Sequence, residues 1–215
     1  MTRWSVPDDP AAATAPPADA DHGRGGRLPR SVKIAVAGGF GVGKTTLVTQ
    51  LSEIPPLTTE ASMTVTALGV DDRRLVPDKT TTTVAMDFGR ITIDPELVVY
   101  LFGTPGQDRF GFMWDDVTNG ALGAVILVDV ARLETSFGPI SYFEERGIPF
   151  VAAVNRFPGR PWYSLQEVTE ALNVDRRVPV VECDARVRPS AKNVLIALLE
   201  HRIALAREGR LGRQR

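Results

Sequence analysis

The chain has 215 residues, of which 43% are hydrophobic, with a formal net charge of −1 and a pI near 6.2. That length buries one good core rather than several, and the near-neutral charge gives no global attraction to nucleic acid or to an acidic membrane surface. One cysteine, Cys183, excludes an internal disulfide framework and fits a reducing cytoplasm, and no apolar run approaches the ~18 residues of a membrane span.

Residues 1–29 are rich in Pro, Ala, Asp and Gly, hold too little apolar surface to offset ordering entropy, and are expected to be disordered. They lack the continuous apolar stretch of a secretory signal. A globular domain is expected over 30–207, followed by a flexible, arginine-rich tail over 208–215.

The apolar run 32–37 predicts a first strand, and 44–53 a helix ended by Pro55-Pro56. Between them lies Gly38-Gly39-Phe40-Gly41-Val42-Gly43-Lys44-Thr45-Thr46, which fits G-x-x-x-x-G-K-[ST] in the strand–loop–helix setting that a phosphate-binding loop requires. Glycines let successive backbone N–H groups approach a phosphate, and the helix N-terminus adds unpaired donors. Lys44 is expected between the β- and γ-phosphates, with the Thr45 hydroxyl as a magnesium ligand.

The polar segment that follows, to about residue 79, reads as a long mobile connection. Two strands, 82–93 and 97–102, are joined by a turn at Asp94-Pro95-Glu96. The run 121–129 is apolar enough for a central parallel strand buried on both faces. A helix is expected over 133–146, kinked or broken at Gly138-Pro139, then a strand over 149–154 and a helix over 164–172. A last strand spans 178–182, and a closing helix spans 190–207, where Val194, Leu195, Leu198, Leu199, Ile203 and Leu205 recur at helical spacing. The alternation predicts an α/β three-layer domain: a mostly parallel central sheet of about six strands with one antiparallel edge hairpin.

A second constellation narrows the chemistry. The strand ending at Phe102 runs into Gly103-Thr104-Pro105-Gly106-Gln107-Asp108-Arg109-Phe110, which resembles the D-x-x-G-Q segment of Ras-like small GTPases. Thr83-Val84-Ala85-Met86-Asp87-Phe88-Gly89 resembles their first switch, Asn155 the start of N-K-x-D, and Cys183-Asp184-Ala185 the S-A-x segment. With the threonine run 80–83, these pieces most resemble the small GTP-binding proteins of actinobacterial conservon operons, relatives of bacterial gliding-polarity GTPases. The resemblance covers about residues 31–205.

It implies a nucleotide-dependent switch that binds GTP with Mg2+ and slowly hydrolyses it to GDP and phosphate. Gly38, Gly41, Val42, Gly43, Lys44, Thr45, Thr46 and Gly106 would hold the phosphates, Thr45 and Thr83 the magnesium, with Thr80, Thr81 and Thr82 competing for the place of Thr83. Gln107 would orient the attacking water, with Lys44 and Thr83 also catalytic. Asn155, Arg156, Phe157, Cys183, Asp184 and Ala185 would surround the base. The resemblance further implies a roadblock-fold regulator, a membrane sensor histidine kinase and a small helper protein as partners. It implies a cytoplasmic location, peripheral at the membrane only through those partners.

Two departures stand out. Gly103 replaces the acidic residue that opens D-x-x-G, with Asp108 and Asp87 as possible substitutes, and Pro158 stands where the guanine-reading aspartate belongs. GTP over ATP is therefore inferred from the resemblance. A non-hydrolysing nucleotide-binding scaffold of a sensor-kinase complex is the alternative, and a small-molecule kinase a weaker third. Arg73, Arg74 and Arg109 are candidates to neutralise transition-state charge. The apolar stretch Phe110, Phe112, Met113 and Trp114 suggests a partner patch, half of it packed inward.

Overall fold

The computed structural model describes residues 29–55, 57–64, 81–106 and 113–212. The segment 1–28, the connection 65–80, and residues 107–112, which include Gln107, Arg109, Phe110 and Phe112, lie outside the described residues.

The first strand, β1, spans Arg30–Ala37 and runs into helix α1, Lys44–Leu51. Strand β2 is Leu57–Thr64, β3 Thr81–Asp94 and β4 Leu97–Gly103. A five-residue helix α2, Trp114–Thr118, precedes β5, Gly123–Val128. Helix α3 is Phe137–Glu145, β6 Phe150–Asn155, α4 Leu165–Leu172, β7 Val180–Cys183 and α5 Arg188–Gly212. One sheet holds seven strands in the order β2-β3-β4-β1-β5-β6-β7. Strands β4, β1, β5, β6 and β7 are parallel, while β3 is antiparallel to both β4 and β2. This is the expected α/β sheet with its antiparallel hairpin, one strand larger than anticipated.

The extra strand corrects the expectation of a long mobile connection directly after α1. Residues 57–64, Leu-Thr-Thr-Glu-Ala-Ser-Met-Thr, form β2 at the sheet edge, where pairing to β3 alone organises the backbone. An edge strand with few apolar side chains carries no clear alternation to read.

The sheet divides the core in two. Along β1, Ile34 and Val36 face α1 and α5 with Leu47, Val48 and Leu198, whereas Ala35 and Ala37 face the side of α2, α3 and α4 with Phe143 and Val168. Strands β5 and β6 are buried along their whole length, as their unbroken apolar sequences require. Helix α4 starts with a capping box in which the Ser164 hydroxyl accepts from the Glu167 N–H and the Glu167 carboxylate accepts from the Ser164 N–H.

The helix expected over 133–146 is a 3-10 segment, Val130–Ser136, followed by α3. The interruption falls at Arg132, with φ −143° and ψ 51°, not at Gly138-Pro139. Pro139 sits in the first turn of α3, where its missing N–H costs no intrahelical bond. Trp114 is packed inward, against Tyr142 and Phe143, and its Nε1 donates to the Pro105 carbonyl at 3.2 Å. It does not belong to an exposed patch. No helix among the described residues is long and apolar enough to cross a membrane.

Candidate phosphate-binding site

The carboxyl ends of the five parallel strands all open on one edge of the sheet, the usual place for a ligand in an open α/β fold. The candidate residues follow them directly: Gly38 after β1, Thr104 after β4, Asp129 after β5, Asn155 at the end of β6 and Asp184 after β7. Parallel pairing therefore gathers residues that are far apart in the chain.

The loop between β1 and α1 needs its glycines. Gly38, Gly41 and Gly43 have φ of 133°, 72° and 104°, in the region that side chains disfavour. A Cβ on Gly43 would also meet the Asn155 amide nitrogen at 2.6 Å. Gly43 caps α1 with no side-chain partner, so the first N–H groups of the helix face the loop's cavity.

Lys44 is 9% exposed, and its Nζ donates to the Gly38 and Gly39 carbonyls, each at 2.8 Å. Burial pushes its pKa down to about 8, opposed by the negative charge of Asp87. Gly106 lies against the ammonium, since a Cβ there would be 2.5 Å from Nζ. Thr45 and Thr46 in the first turn of α1, together with Asp87, Thr104 and Gly106, line a cavity of about 400 Å³ with Lys44. Phe40, 67% exposed, stands at its rim. The Thr45 hydroxyl donates to Asp87 Oδ2 at 2.7 Å.

These oxygens fit a small hard cation. Magnesium takes one or two protein oxygens together with waters and phosphate oxygens rather than an all-protein cage. A hydroxyl and a carboxylate side by side, with the buried Thr104 Oγ1 lacking any partner in the same cavity, supply that set. Thr83 lies inside β3 opposite Ser62, four residues from Asp87 and so about 13 Å along the strand. The Thr83 backbone, expected in a loop around the metal, is held in the β2–β3 ladder.

On the other side of the loop, Asn155 donates from Nδ2 to the Val42 carbonyl at 2.9 Å and accepts at Oδ1 from the Ala185 N–H at 3.0 Å. It ties the β1–α1 loop to the loop after β7. A second cleft, of about 270 Å³, begins there and is lined by Arg156, Phe157, Trp162 and Asp184. Arg156 stacks on the Trp162 ring at 3.8 Å and meets Glu182 Oε1 at 2.7 Å. Asp184 is held by Arg186 at 2.7 and 2.9 Å, which lowers its pKa. Cys183 is buried, and desolvation pushes its thiol up to about 12.

The sequence reading did not single out Asp129. Its buried carboxylate accepts from the Ala131 N–H and meets Arg132 Nε at 3.1 Å and Arg160 Nη2 at 3.5 Å. Arg132 in turn borders Gly41. A lone Asp at the end of an apolar strand was the available signal, since such a residue must find partners. Thr104 and Trp162 were also missed as site residues.

Residues 36–205 match the family described as "conserved hypothetical ATP binding protein". An uncharacterised protein of Methanocaldococcus jannaschii is 32% identical over 127 residues, covering 58% of this chain and 70% of its own length. Among solved structures, the G domain of the T. maritima FeoB iron transporter superposes with a TM-score of 0.56 at 18% identity, over 80% of this chain and 99% of its own. The chain therefore belongs to the conserved hypothetical ATP binding protein family, built on the G-domain fold of P-loop GTPases.

Proposed function

We propose that this protein is a nucleotide-dependent switch that binds GTP with magnesium and slowly hydrolyses it to GDP and phosphate. One observation carries the reading: a buried lysine ammonium held only by two loop carbonyls, at a glycine-bounded helix N-terminus, facing a 400 Å³ cavity. A cation so placed makes no direct ion pair among the described residues, and a nucleotide's β- and γ-phosphates would supply one. The family description and the G-domain fold support nucleotide as the ligand class.

In this reading Gly41, Val42, Gly43, Lys44, Thr45 and Thr46 cradle the phosphates and exclude bulk water from them. Gly106 leaves its N–H free to follow the terminal phosphate, and Gln107 orients the attacking water. Bound magnesium, held by Thr45 and phosphate oxygens, would neutralise charge developing on those phosphates. Loss of the terminal phosphate would release the segment after Gly106 and the β2–β3 hairpin that carries Thr83, giving partners a nucleotide-dependent surface. Resemblance to conservon proteins makes a roadblock-fold regulator and a membrane sensor histidine kinase the proposed partners.

A second reading, ATP as the nucleotide, is favoured by Pro158 and by the pairing of Asp184 with Arg186, which leaves no free carboxylate among the described base-side residues. The test is magnesium-dependent phosphate release from GTP and from ATP. Turnover of one of them, lost in Gln107→Leu with binding kept and lost with binding in Lys44→Ala, is the expected result. Tight binding without release in the wild type would leave the non-hydrolysing scaffold instead.

A further inference from the structure

The missing carboxylate of β4 has a counterpart across the sheet. In the antiparallel β3–β4 ladder Phe88 pairs with Phe102, so the next pair toward the cavity is Asp87 against Gly103. A Cβ built on Gly103 would lie 3.0 Å from both Cβ and Oδ2 of Asp87. A side chain at 103 would therefore crowd Asp87, which would have to give by a few tenths of an ångström, whereas glycine leaves it uncrowded. Oδ2 is turned toward the first turn of α1, where it accepts the Thr45 hydroxyl at 2.7 Å. The neighbouring Thr104 Oγ1 is buried, lines the same cavity and has no partner, which marks the spot as one awaiting a polar ligand.

We propose that Asp87 is the residue that positions the divalent cation beside the nucleotide phosphates, the carboxylate having moved from β4 to the facing position on β3. The proposal rests on the nucleotide-binding reading above. It gives a reason for Gly103 beside Asp87: the glycine leaves the Asp87 side chain uncrowded. The competing explanation is structural. A carboxylate near a helix N-terminus stabilises the helix dipole and the Thr45 rotamer without any metal.

The deciding experiment uses the full chain, stripped of nucleotide, with N-methylanthraniloyl-GDP as the fluorescent probe and magnesium chloride as titrant. Binding of the probe without magnesium reports the phosphate loop, and the magnesium midpoint reports the cation site. In Asp87→Asn the midpoint is expected to rise roughly 10–100-fold, as for other residues that orient metal ligands, while magnesium-free probe binding does not weaken, because the charge removed faces the phosphates. The exchange variant Asp87→Gly/Gly103→Asp is expected to bring the midpoint back toward wild type, because it returns the carboxylate to β4 without adding volume. Thermal melting of each variant separates a folding defect from a metal defect. An Asp87→Asn midpoint equal to wild type, with or without a lowered melting temperature, overturns the proposal and leaves nucleotide binding intact. Failure of the wild type to bind the probe at any magnesium concentration overturns the nucleotide reading itself.

Discussion

The two sides of the β1–α1 loop are built from similar polar residues used in opposite ways. On the phosphate side the Lys44 ammonium bonds only to carbonyls among the described residues, with Asp87 lining the same cavity, Thr104 Oγ1 has no partner there, and the first N–H groups of α1 point at open space. On the base side most polar groups are already joined to one another: Asn155 to Val42 and Ala185, Arg156 Nη2 to Glu182 with its plane on Trp162, and Asp184 to Arg186, while Arg156 Nε and Nη1 are buried without a partner among the described residues. Unsatisfied groups at the first side are costly until a ligand arrives, so they store affinity. At the second side the joined groups hold the loop in shape, and the carboxylates of Asp184 and Glu182 are already taken by arginines, which leaves no free acceptor of that kind for a purine among the described residues. The contrast teaches that this site grips by phosphate and selects weakly by base.

The largest effect expected is on the phosphate side. Lys44→Ala should weaken binding of GDP and GTP roughly 10–100-fold, the worth of a hydrogen bond to a charged group, measured by fluorescence titration. The structural role of the base side gives the next prediction. Asn155→Ala removes two buried bonds and should lower stability by about 2 kcal/mol and the melting temperature by roughly 4–8 °C. A nucleotide-affinity loss with no loss of stability would mean that Asn155 serves the base instead.

The pH dependence sharpens the same contrast. With burial holding Lys44 near 8 in the free protein, the lysine is protonated below that pH, and phosphate binding restores its charge. Above pH 8 binding must take up a proton, so the dissociation constant should rise with pH by up to about tenfold per unit. Lys44→Arg, which does not titrate in this range, should remove that slope. Smallest of all, Cys183 should resist thiol reagents at pH 8 in the folded protein and react only on unfolding, since its thiol is buried and its pKa raised.

Much of the fold was legible because the apolar runs of β5 and β6, the turn between β3 and β4, and the helical spacing along α5 are local signals. The phosphate loop was legible because glycine positions and a lysine at fixed spacing have a direct geometric meaning. What escaped was relational. Edge strand β2 has only three apolar residues, Leu57, Ala61 and Met63, with Thr59 interrupting them on their face, and is defined by its pairing with β3. Helix α2 is too short for a period, so the inward course of Trp114 depended on Tyr142 and Phe143, which are remote in sequence. Gly103 read alone is a lost carboxylate, and only the register of β3 against β4 brings Asp87 to the place it left. In the same way, the two protein partners of the Asn155 amide, Val42 and Ala185, are brought to it only by the fold.

The most direct measurement is the ratio of GTP to ATP affinity in the wild-type protein with magnesium, by competition against N-methylanthraniloyl-GDP. The account predicts that both nucleotides bind, within roughly tenfold of each other, because a purine-reading carboxylate is worth several kcal/mol and none is free among the described base-side residues. A preference for GTP of a thousandfold or more would contradict it and would place a base-reading acceptor beyond the groups described. Binding of neither nucleotide would remove the phosphate-gripping half as well.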